Sequence, residues 1–429
     1  MLCQLLQWFH RCLSLAFAIS ACWLVSGALL GERAEADEQA PSPLEAVNHP
    51  VDWWFAFKFN AKAFPGCSVG TAPACAFGGT VQKYRAFSQQ FVYASNVDPT
   101  LKSGNSCIGD TSNDPVGATF ERVYNGALYF VIWNDQFYGD PAVKGCGLGN
   151  CNSPWGHSKG MVAWNDTGEG FALQVSTPSW PGAGSTKVPR KETSGNTLGC
   201  ISDNDVVVSQ HFFSVKLTRD DLVKVLNALN NASIATDPSN HQIVNNGGPI
   251  EVQELVNTLG KRVDSAIATK ETLSTGILLI SKPSNLHVPP WQMVSSMLGS
   301  QDLRTATWWA RPQIPTTDQK SNIPCWSGSL PSPGKVEIAT SGQWNGTKFG
   351  LTGGLGSDFN HAKIGVAMSG AEDYVIFGDL NQQGALGGNC SSSQNGRGGL
   401  FYVVPQNPVL HKSVAGLLEG GTAPLGSTN

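Results

Sequence analysis

The chain has 429 residues, of which only 14% are charged, and it is rich in glycine and tryptophan. This composition disfavours a helical cytosolic protein and favours a β-rich, loop-rich exported one, while the length allows one large or two medium domains. The formal net charge of −4 at pH 7 argues against a polyanion partner at neutral pH, but the sequence pI of about 6.1 makes the protein cationic in acid. An enzyme of this charge that acts on nucleic acid is therefore expected to prefer acid.

The N-terminal residues predict export. A mostly apolar run from Leu13 to Leu30 precedes Ala34-Glu35-Ala36, a pattern typical of a secretory signal peptide over residues 1–36. A single membrane anchor is the alternative, because the run approaches the shortest length that spans a bilayer. Residues 37–49 are predicted to be a flexible leader. We expect no membrane attachment once the signal is removed, and a secreted, periplasmic or acidic location such as the lysosome.

Eight cysteines follow the predicted signal, and their even number fits a disulfide framework in an exported protein. Their spacing favours two short-loop pairs, Cys67 with Cys75 and Cys146 with Cys151. The sequence contains no CxxC or HExxH pattern, so a zinc site is not predicted, and we expect neither a metal nor a cofactor.

The first half of the chain, residues 50–250, is predicted to consist mainly of strands. An apolar strand at 51–59 contains Asp52 near its start and Lys58 near its end. Further strands are predicted at 91–93, 127–133 and 206–215, and a helix at 222–229 follows a capping box at 218–221.

The second half, residues 251–410, is separated from the first by a polar, Asn-rich segment. It is predicted to contain helices at 250–259 and 291–298 and strands at 276–281, 305–309 and 400–404. Residues 411–429 are predicted to be a tail that is disordered from Gly420 onward.

A His-x-Lys pattern occurs twice. His157-Ser158-Lys159 and His361-Ala362-Lys363 each run into an apolar segment, which predicts a buried strand. Side chains two apart on a strand point to the same face, so each motif places a histidine beside a lysine. Each motif continues through a second strand into a polar cluster, Ser176 to Ser179 in the first case and Gly378 to Asn381 in the second. We therefore predict an α/β (α+β) protein of two pseudo-symmetric halves, each with a central mixed β-sheet flanked by helices, and a site at their seam.

Two such motifs supply what a phosphodiesterase needs when it works without metal. One neutral histidine would attack phosphorus, the other would donate a proton to the departing oxygen, and the two lysines would hold the phosphate. The opposite protonation states of the two histidines predict a bell-shaped pH profile. For either motif alone an ordinary surface or core histidine is the better explanation, but the matching hairpins favour a shared site.

Several segments, in this order, resemble the deoxyribonuclease II family over about residues 50–405. They are Pro50-Val51-Asp52-Trp53, Asn134-Asp135-Gln136, the segment from Gly156 to Gly160, His361-Ala362-Lys363 and Gly378-Asp379-Leu380-Asn381. The resemblance implies a phospholipase D-like fold and an acid endonuclease that needs no divalent metal and leaves 3′-phosphate ends on DNA. It implies catalytic roles for His157, Lys159, His361 and Lys363. It also implies a phosphate contact by Asn381, with Ser176 or Ser179 as the weaker counterpart in the first half.

Other candidates for substrate contact are Asp52, Lys58, Asn134 and Gln210, for each of which a structural role is the alternative. The expected partner is DNA, gripped through its phosphates without sequence preference. A phosphodiesterase acting on RNA or lipid head groups, or a non-catalytic binding protein or toxin, is the alternative function. The sequence is compatible with a homodimer but does not require one.

Overall fold

In the computed structural model the described residues are 40–64, 90–105, 108–109, 112–124, 126–137, 141–146, 151–178, 207–309, 314–354, 356, 358–368, 370, 372–391 and 394–426. The predicted signal peptide, the predicted Cys67–Cys75 pair and Ser179 lie outside these residues. No described helix has both the length and the apolar character needed to cross a bilayer.

The first half contains the strands β1 (Leu44–Ala46), β2 (His49–Pro50), β3 (Trp53–Lys58), β4 (Phe91–Ser95), β5 (Lys102–Ser103), β6 (Tyr129–Asn134), β7 (Lys159–Trp164), β8 (Gly170–Val175), β9 (Gln210–Leu217) and β10 (Val244–Asn245). β1 and β2 pair with each other. The other eight form a sheet in the order β10-β6-β7-β8-β9-β3-β4-β5, in which every pairing is antiparallel. The strands predicted to begin near residues 51, 91, 127 and 206 correspond to β3, β4, β6 and β9.

The second half contains the strands β11 (Thr269–Thr272), β12 (Leu278–Lys282), β13 (Leu303–Ala306), β14 (Val336–Ile338), β15 (Ser341–Trp344), β16 (Thr347–Gly350), β17 (Ile364–Ala367), β18 (Val375–Gly378) and β19 (Gly399–Val404). Seven of them form a sheet in the order β11-β12-β19-β18-β17-β13-β14, and β15 pairs with β16. This sheet is mixed, because β13 and β14 run parallel. The predicted α/β class with large sheets is confirmed. A mixed sheet was predicted for each half, but among the described strands only the second sheet contains a parallel pair, and the pseudo-symmetry of the two halves stays a prediction.

The helices are α1 (Pro115–Tyr124), α2 (Arg219–Asn231), α3 (Ile250–Thr258), α4 (Pro290–Met297) and α5 (Pro408–Leu417). α2 begins at the predicted capping box, in which Thr218 accepts from the Asp221 amide and Asp221 accepts from the Thr218 amide. Its buried apolar residues recur at helical spacing, and the helix contacts strands of both sheets.

Aromatic side chains join the two sheets. Phe377 in β18 stacks on Phe55 in β3 and on Phe213 in β9, with ring centroids 4.4 Å and 4.5 Å apart. All three rings are fully buried, and they belong to one hydrophobic core that includes residues of both sheets. The site residues described below lie on the segments adjoining this core.

The structure differs from the sequence prediction at both ends of the described chain. Within the predicted leader, Leu44 is buried in β1, and its amide donates to Thr119 Oγ1 at 2.9 Å. Within the predicted tail, α5 buries Val414 and Leu417, and the Ala423 amide then donates to Ile338 O at 2.9 Å. Apolar residues at helical spacing hold the C-terminal segment on the core.

Candidate active site

Two antiparallel hairpins carry the His-x-Lys motifs. Strands β7 and β8 form the first hairpin, and β17 and β18 form the second. The strand-turn-strand pattern predicted after each motif is therefore confirmed. Lys159 is the first residue of β7, whereas Lys363 lies directly before β17. His157 and His361 consequently lie just ahead of the strands, on the segments where the chain enters the sheets.

Asp135 binds both functional side chains of the first motif. It follows directly after β6, which pairs with β7. Its Oδ2 lies 2.8 Å from Nδ1 of His157, and Lys159 Nζ donates to its Oδ1 at 2.6 Å. Arg397 Nη2 also lies 2.8 Å from Oδ2. Burial alone would raise the pKa of Asp135, but these three partners hold that pKa well below its usual value. The buried carboxylate is therefore ionised.

Arg397 reaches the first motif from the second half of the chain, two residues before β19. Besides binding Asp135, its guanidinium donates to the carbonyl oxygens of Trp155 and Gly156, in each case at 3.0 Å. One planar side chain thus fixes both the carboxylate that contacts His157 and the backbone that leads into it.

Asn381 joins the second half to the first at the histidine ring. Its Nδ2 lies 3.1 Å from Nε2 of His157, and its backbone amide donates to Gln394 Oε1 at 3.1 Å. Its Oδ1 is buried and has no hydrogen-bond partner among the described residues. A half-turn of the amide exchanges Nδ2 and Oδ1, so that Oδ1 would accept a proton from a charged imidazolium. Asn381 can therefore form a hydrogen bond with His157 in either protonation state of the ring.

His361 has different surroundings. Its ring makes a hydrogen bond to the backbone of Gly354, and its Nε2 has no partner within the described part of the chain. The ring of Trp308 approaches edge-on, with centroids 6.4 Å apart. Burial and the charges of the two motif lysines lower the pKa of His361 to about 3. This histidine is therefore neutral above that pH.

The lysines of the two motifs are within electrostatic reach of each other. Burial, together with the charge of Lys159, lowers the pKa of Lys363 to about 7. Asp379 lies near both, and burial raises the pKa of this carboxyl to about 7 although both lysines oppose the shift. Asp379 accepts from Gln174 Nε2 at 3.0 Å and from the Leu400 amide at 2.8 Å. The two motifs and these carboxyl groups thus form one connected, buried cluster.

A family model described as Deoxyribonuclease II matches residues 42–419. The chain belongs to the deoxyribonuclease II family. This family has a phospholipase D-like fold, and membership indicates a deoxyribonuclease and hence a hydrolase. Members of the deoxyribonuclease II family are typically lysosomal or secreted. A search of curated proteins found no match to the chain.

Two further residues that the deoxyribonuclease II resemblance or the strand pattern singled out lie beside the second motif. Ser176 Oγ is 2.5 Å from Gln210 Oε1 and accepts from the His211 amide at 2.8 Å. His211 Nδ1 in turn accepts from the Lys363 amide at 3.2 Å. All are buried, so Ser176 and Gln210 support the backbone of the second motif from the first sheet.

The remaining predicted residues occupy other positions. Lys58 is fully buried and donates to the carbonyl oxygens of Phe59 and Val208. Asn134 Nδ2 donates to Thr177 O at 3.3 Å. Asp52 is exposed before the first residue of β3, whereas Lys58 is its last, so about 20 Å of strand separates them. The structure therefore does not bring Asp52 to the histidines.

Three buried residues of the cluster were not among the predicted site residues, namely Asp135, Arg397 and Asp379. Asp135 and Asp379 lie within the segments that resemble the deoxyribonuclease II family, Asp135 next to the predicted Asn134 and Asp379 two positions before the predicted Asn381. Arg397 has no comparable local signal. It lies after a glycine-rich loop, and its partner Asp135 is 262 positions earlier in the chain, so only the folded structure identifies it.

Proposed function

We propose that this protein is an acid endonuclease that hydrolyses DNA phosphodiester bonds without divalent metal and leaves 3′-phosphate and 5′-hydroxyl ends. In this proposal one histidine is the nucleophile and the other is the general acid. The observation that carries it is the contact of Asn381, from the second half, with Nε2 of His157, from the first, at 3.1 Å. Membership of the deoxyribonuclease II family supports DNA as the substrate.

His361 is the nucleophile in this mechanism. Its low pKa keeps the ring neutral in acid, and its hydrogen bond to Gly354 occupies one ring nitrogen while Nε2 has no described partner. A neutral imidazole whose Nδ1 carries the proton has its lone pair on Nε2. Attack by that lone pair forms a nitrogen–phosphorus bond to the 3′-phosphate and breaks the bond to the 5′-oxygen of the next nucleotide.

His157 is the general acid. Asp135 accepts from Nδ1 and stabilises the imidazolium, which leaves the Nε2 proton for the departing 5′-oxygen. Neutral His157 then takes a proton from water, whose oxygen attacks the phosphohistidine and releases the 3′-phosphate and His361. Burial lowers the pKa of His157, while the Asp135 carboxylate opposes that shift. An acidic pH is therefore needed to protonate His157.

Lys159 and Lys363 supply the positive charge in this mechanism. Both are buried, and Lys159 also forms an ion pair with Asp135. Together the two lysines would bind the non-bridging phosphate oxygens. Fixed ammonium groups can stabilise the charge that builds on those oxygens, a task that a divalent metal performs in other phosphodiesterases. Because these groups contact phosphate rather than base edges, we expect cleavage without sequence preference.

The proposed function is tested by nicking of supercoiled DNA from pH 4 to 8 in excess EDTA, with wild type, His157→Ala and His361→Ala. We expect an acid optimum in wild type and a loss of roughly 100-fold or more in each variant. The products should accept label from polynucleotide kinase without prior phosphatase treatment, because their 5′ ends are hydroxyls. Cleavage that needs added metal, or that survives both substitutions, would overturn the proposal.

A second substrate separates the roles of the two histidines. In a thymidine 3′-(4-nitrophenyl) phosphate the leaving group departs without a proton, so a general acid is dispensable. We expect His157→Ala to release 4-nitrophenol from this ester in a stoichiometric burst, because only the first step no longer needs an acid while hydrolysis of the phosphohistidine still needs His157 as base. We expect His361→Ala to show no burst. The opposite pattern would exchange the two roles and leave the two-histidine mechanism intact.

A further inference from the structure

Each histidine of the candidate site is held through its backbone by the opposite half of the molecule. The amide of His157 donates to Gly398 O at 2.8 Å, and the amide of His361 donates to Ser209 O at 2.8 Å. Gly398 directly precedes β19 of the second sheet, and Ser209 directly precedes β9 of the first. The position of each catalytic ring therefore depends on a short segment that enters a strand of the other sheet.

A buried lysine fixes each of these segments. Lys58 is the last residue of β3, and its Nζ donates to Val208 O, one residue before Ser209. Lys282 is the last residue of β12, and its Nζ donates to Arg397 O at 2.9 Å, one residue before Gly398. The strand partner of Lys58 is Gln210 and that of Lys282 is Gly399, so the two arrangements correspond position by position.

From this reciprocal geometry we infer that Lys58 and Lys282 are positioning residues of the nuclease. Each lysine fixes a backbone segment, and the carbonyl group of Ser209 or Gly398 in that segment holds one histidine in the geometry that the reaction needs. The inference rests on the proposed function and extends it to two residues that do not touch the substrate. Lys58 thereby takes a role in place of the phosphate contact predicted from the sequence.

The hydrogen bonds of Lys282 indicate that its ammonium group, and not only its apolar stem, has a role. Its Nζ donates to three backbone carbonyl oxygens, those of Pro283 at 3.3 Å, Asn395 at 2.8 Å and Arg397 at 2.9 Å. Three acceptors match the three N–H groups of an ammonium, whereas a neutral amine has only two. Burial lowers the pKa of Lys282 to about 7, so the full set of bonds is complete in acid.

Lys282 also acts on the first motif by a second route. The same Arg397 whose carbonyl it binds extends its guanidinium to Asp135, the carboxylate that contacts His157 Nδ1. A displacement of the backbone at Arg397 would therefore shift the histidine both through its amide and through its ring. Misplacement of a reacting group by about 1 Å can cost roughly 100-fold in rate.

The test compares Lys58→Met and Lys282→Met, which keep the length of the side chain and remove its donors, with Arg304→Met. Arg304 is the matched control because it too binds backbone carbonyls, those of Leu418, Gly420 and Gly421, in a segment without site residues. On a DNA duplex in EDTA we expect both lysine variants to lose about 10- to 100-fold in kcat with little change in KM. The control should lose stability but keep kcat.

The pH profile gives a readout that a merely structural role would not move. The charge of Lys58 contributes to the lowered pKa of His361, whereas Lys282 binds the segment that holds His157. The acid limb of kcat should therefore move to higher pH in Lys58→Met and stay in place in Lys282→Met. Lys58→Gln and Lys282→Gln, which keep two of the three N–H donors on an uncharged side chain, replace any methionine variant that does not fold and should show intermediate rates.

Failure of this inference is distinguishable from failure of the proposed function. Wild type that is inactive on DNA in EDTA refutes the nuclease proposal without reference to either lysine. Active wild type together with folded lysine variants of unchanged kcat overturns only the positioning role. A loss of kcat in Arg304→Met equal to that in the lysine variants would likewise overturn it, because general destabilisation would then explain the effect.

Discussion

Asn381 Nδ2 lies 3.1 Å from Nε2 of His157, so the second half of the chain contacts the nitrogen that carries the transferred proton in the proposed mechanism. On the other side of the ring, Asp135 lies 2.8 Å from Nδ1. The imidazole of His157 thus lies between the carboxylate of Asp135 and the side-chain amide of Asn381, which can rotate to present either its nitrogen or its oxygen. This arrangement favours a histidine that gains and loses a proton in place, without moving its ring.

Substituting Asn381→Asp tests this control of the proton. A carboxylate beside Nε2 favours the imidazolium, so we expect the pKa of His157 to rise. The alkaline limb of the pH–rate profile should move up, while kcat at the optimum falls because the proton is held more tightly. Asn345→Asp, at an exposed turn between β15 and β16, is the control. An unmoved limb in Asn381→Asp would contradict the role of this contact.

Substituting Asp135→Asn tests the buried charge cluster. The change leaves Lys159 and Arg397 without their carboxylate, so we expect a loss of about 3–5 kcal/mol in the free energy of unfolding. Activity should fall roughly 100-fold or more, because the imidazolium of His157 loses its partner. Urea unfolding and DNA nicking measure the two effects.

The matched control for Asp135→Asn is Asp358→Asn, which breaks an exposed ion pair with Lys62. Surface pairs contribute little, so the control should lose less than about 1 kcal/mol and keep its activity. Equal losses of stability and activity in the two variants would show that the buried cluster contributes no more than an exposed ion pair.

Substituting Lys363→Arg tests the charge at the second motif. The pKa of Lys363 is about 7, so its ammonium loses its proton as the pH rises through that value, and its proposed contact with phosphate should weaken. In a His361→Ala background, which binds without cutting, we expect DNA affinity to fall about tenfold more steeply between pH 6 and 8 with lysine than with arginine. Fluorescence anisotropy at constant salt measures the DNA affinity at each pH. Lys412→Arg, at an exposed position of α5, should leave the pH dependence unchanged.

The sequence was sufficient to predict the two motifs, their hairpins and the α/β class, because these depend on local patterns. His157 and Lys159 are two positions apart, and the apolar residues of β7 follow at once. The alternation of strand and turn is visible within about 20 residues. The predicted Cys146–Cys151 disulfide is confirmed for the same reason, since a short loop joins its cysteines.

The sequence could not predict contacts that depend on the packing of one sheet on the other. Arg397 and Asp135 are 262 positions apart, and His157 and Asn381 are 224 apart. Lys58, at the end of the opening strand, was a candidate for substrate contact, with a structural role as the alternative. In the structure that strand end is buried, so the ammonium binds backbone carbonyls instead.

Substituting Asp379→Asn tests a pH-dependent contribution to stability. The folded-state pKa of Asp379, about 7, lies above its unfolded value near 3.8. The contribution is therefore fully present below pH 3.8 and is lost as the pH rises through about 7. Relative to wild type, the variant should thus show a more positive change in the free energy of unfolding between pH 4 and 7. Urea titrations at the two pH values measure it, and an identical change in both proteins would contradict the raised pKa.

Removal of the Cys325–Cys390 disulfide tests how far the second half depends on a covalent tie. The bond spans 65 positions, and Cys390 lies between Asn381 and Arg397, two residues that contact the first motif. In the chain-entropy estimate the double substitution Cys325→Ser with Cys390→Ser costs about 4 kcal/mol of stability. Removal of Cys146–Cys151, which spans 5 positions, costs about 2 kcal/mol on the same basis. We expect urea unfolding to show the larger loss for the longer loop, and a reversed order would mean that loop closure does not govern the effect of these bonds.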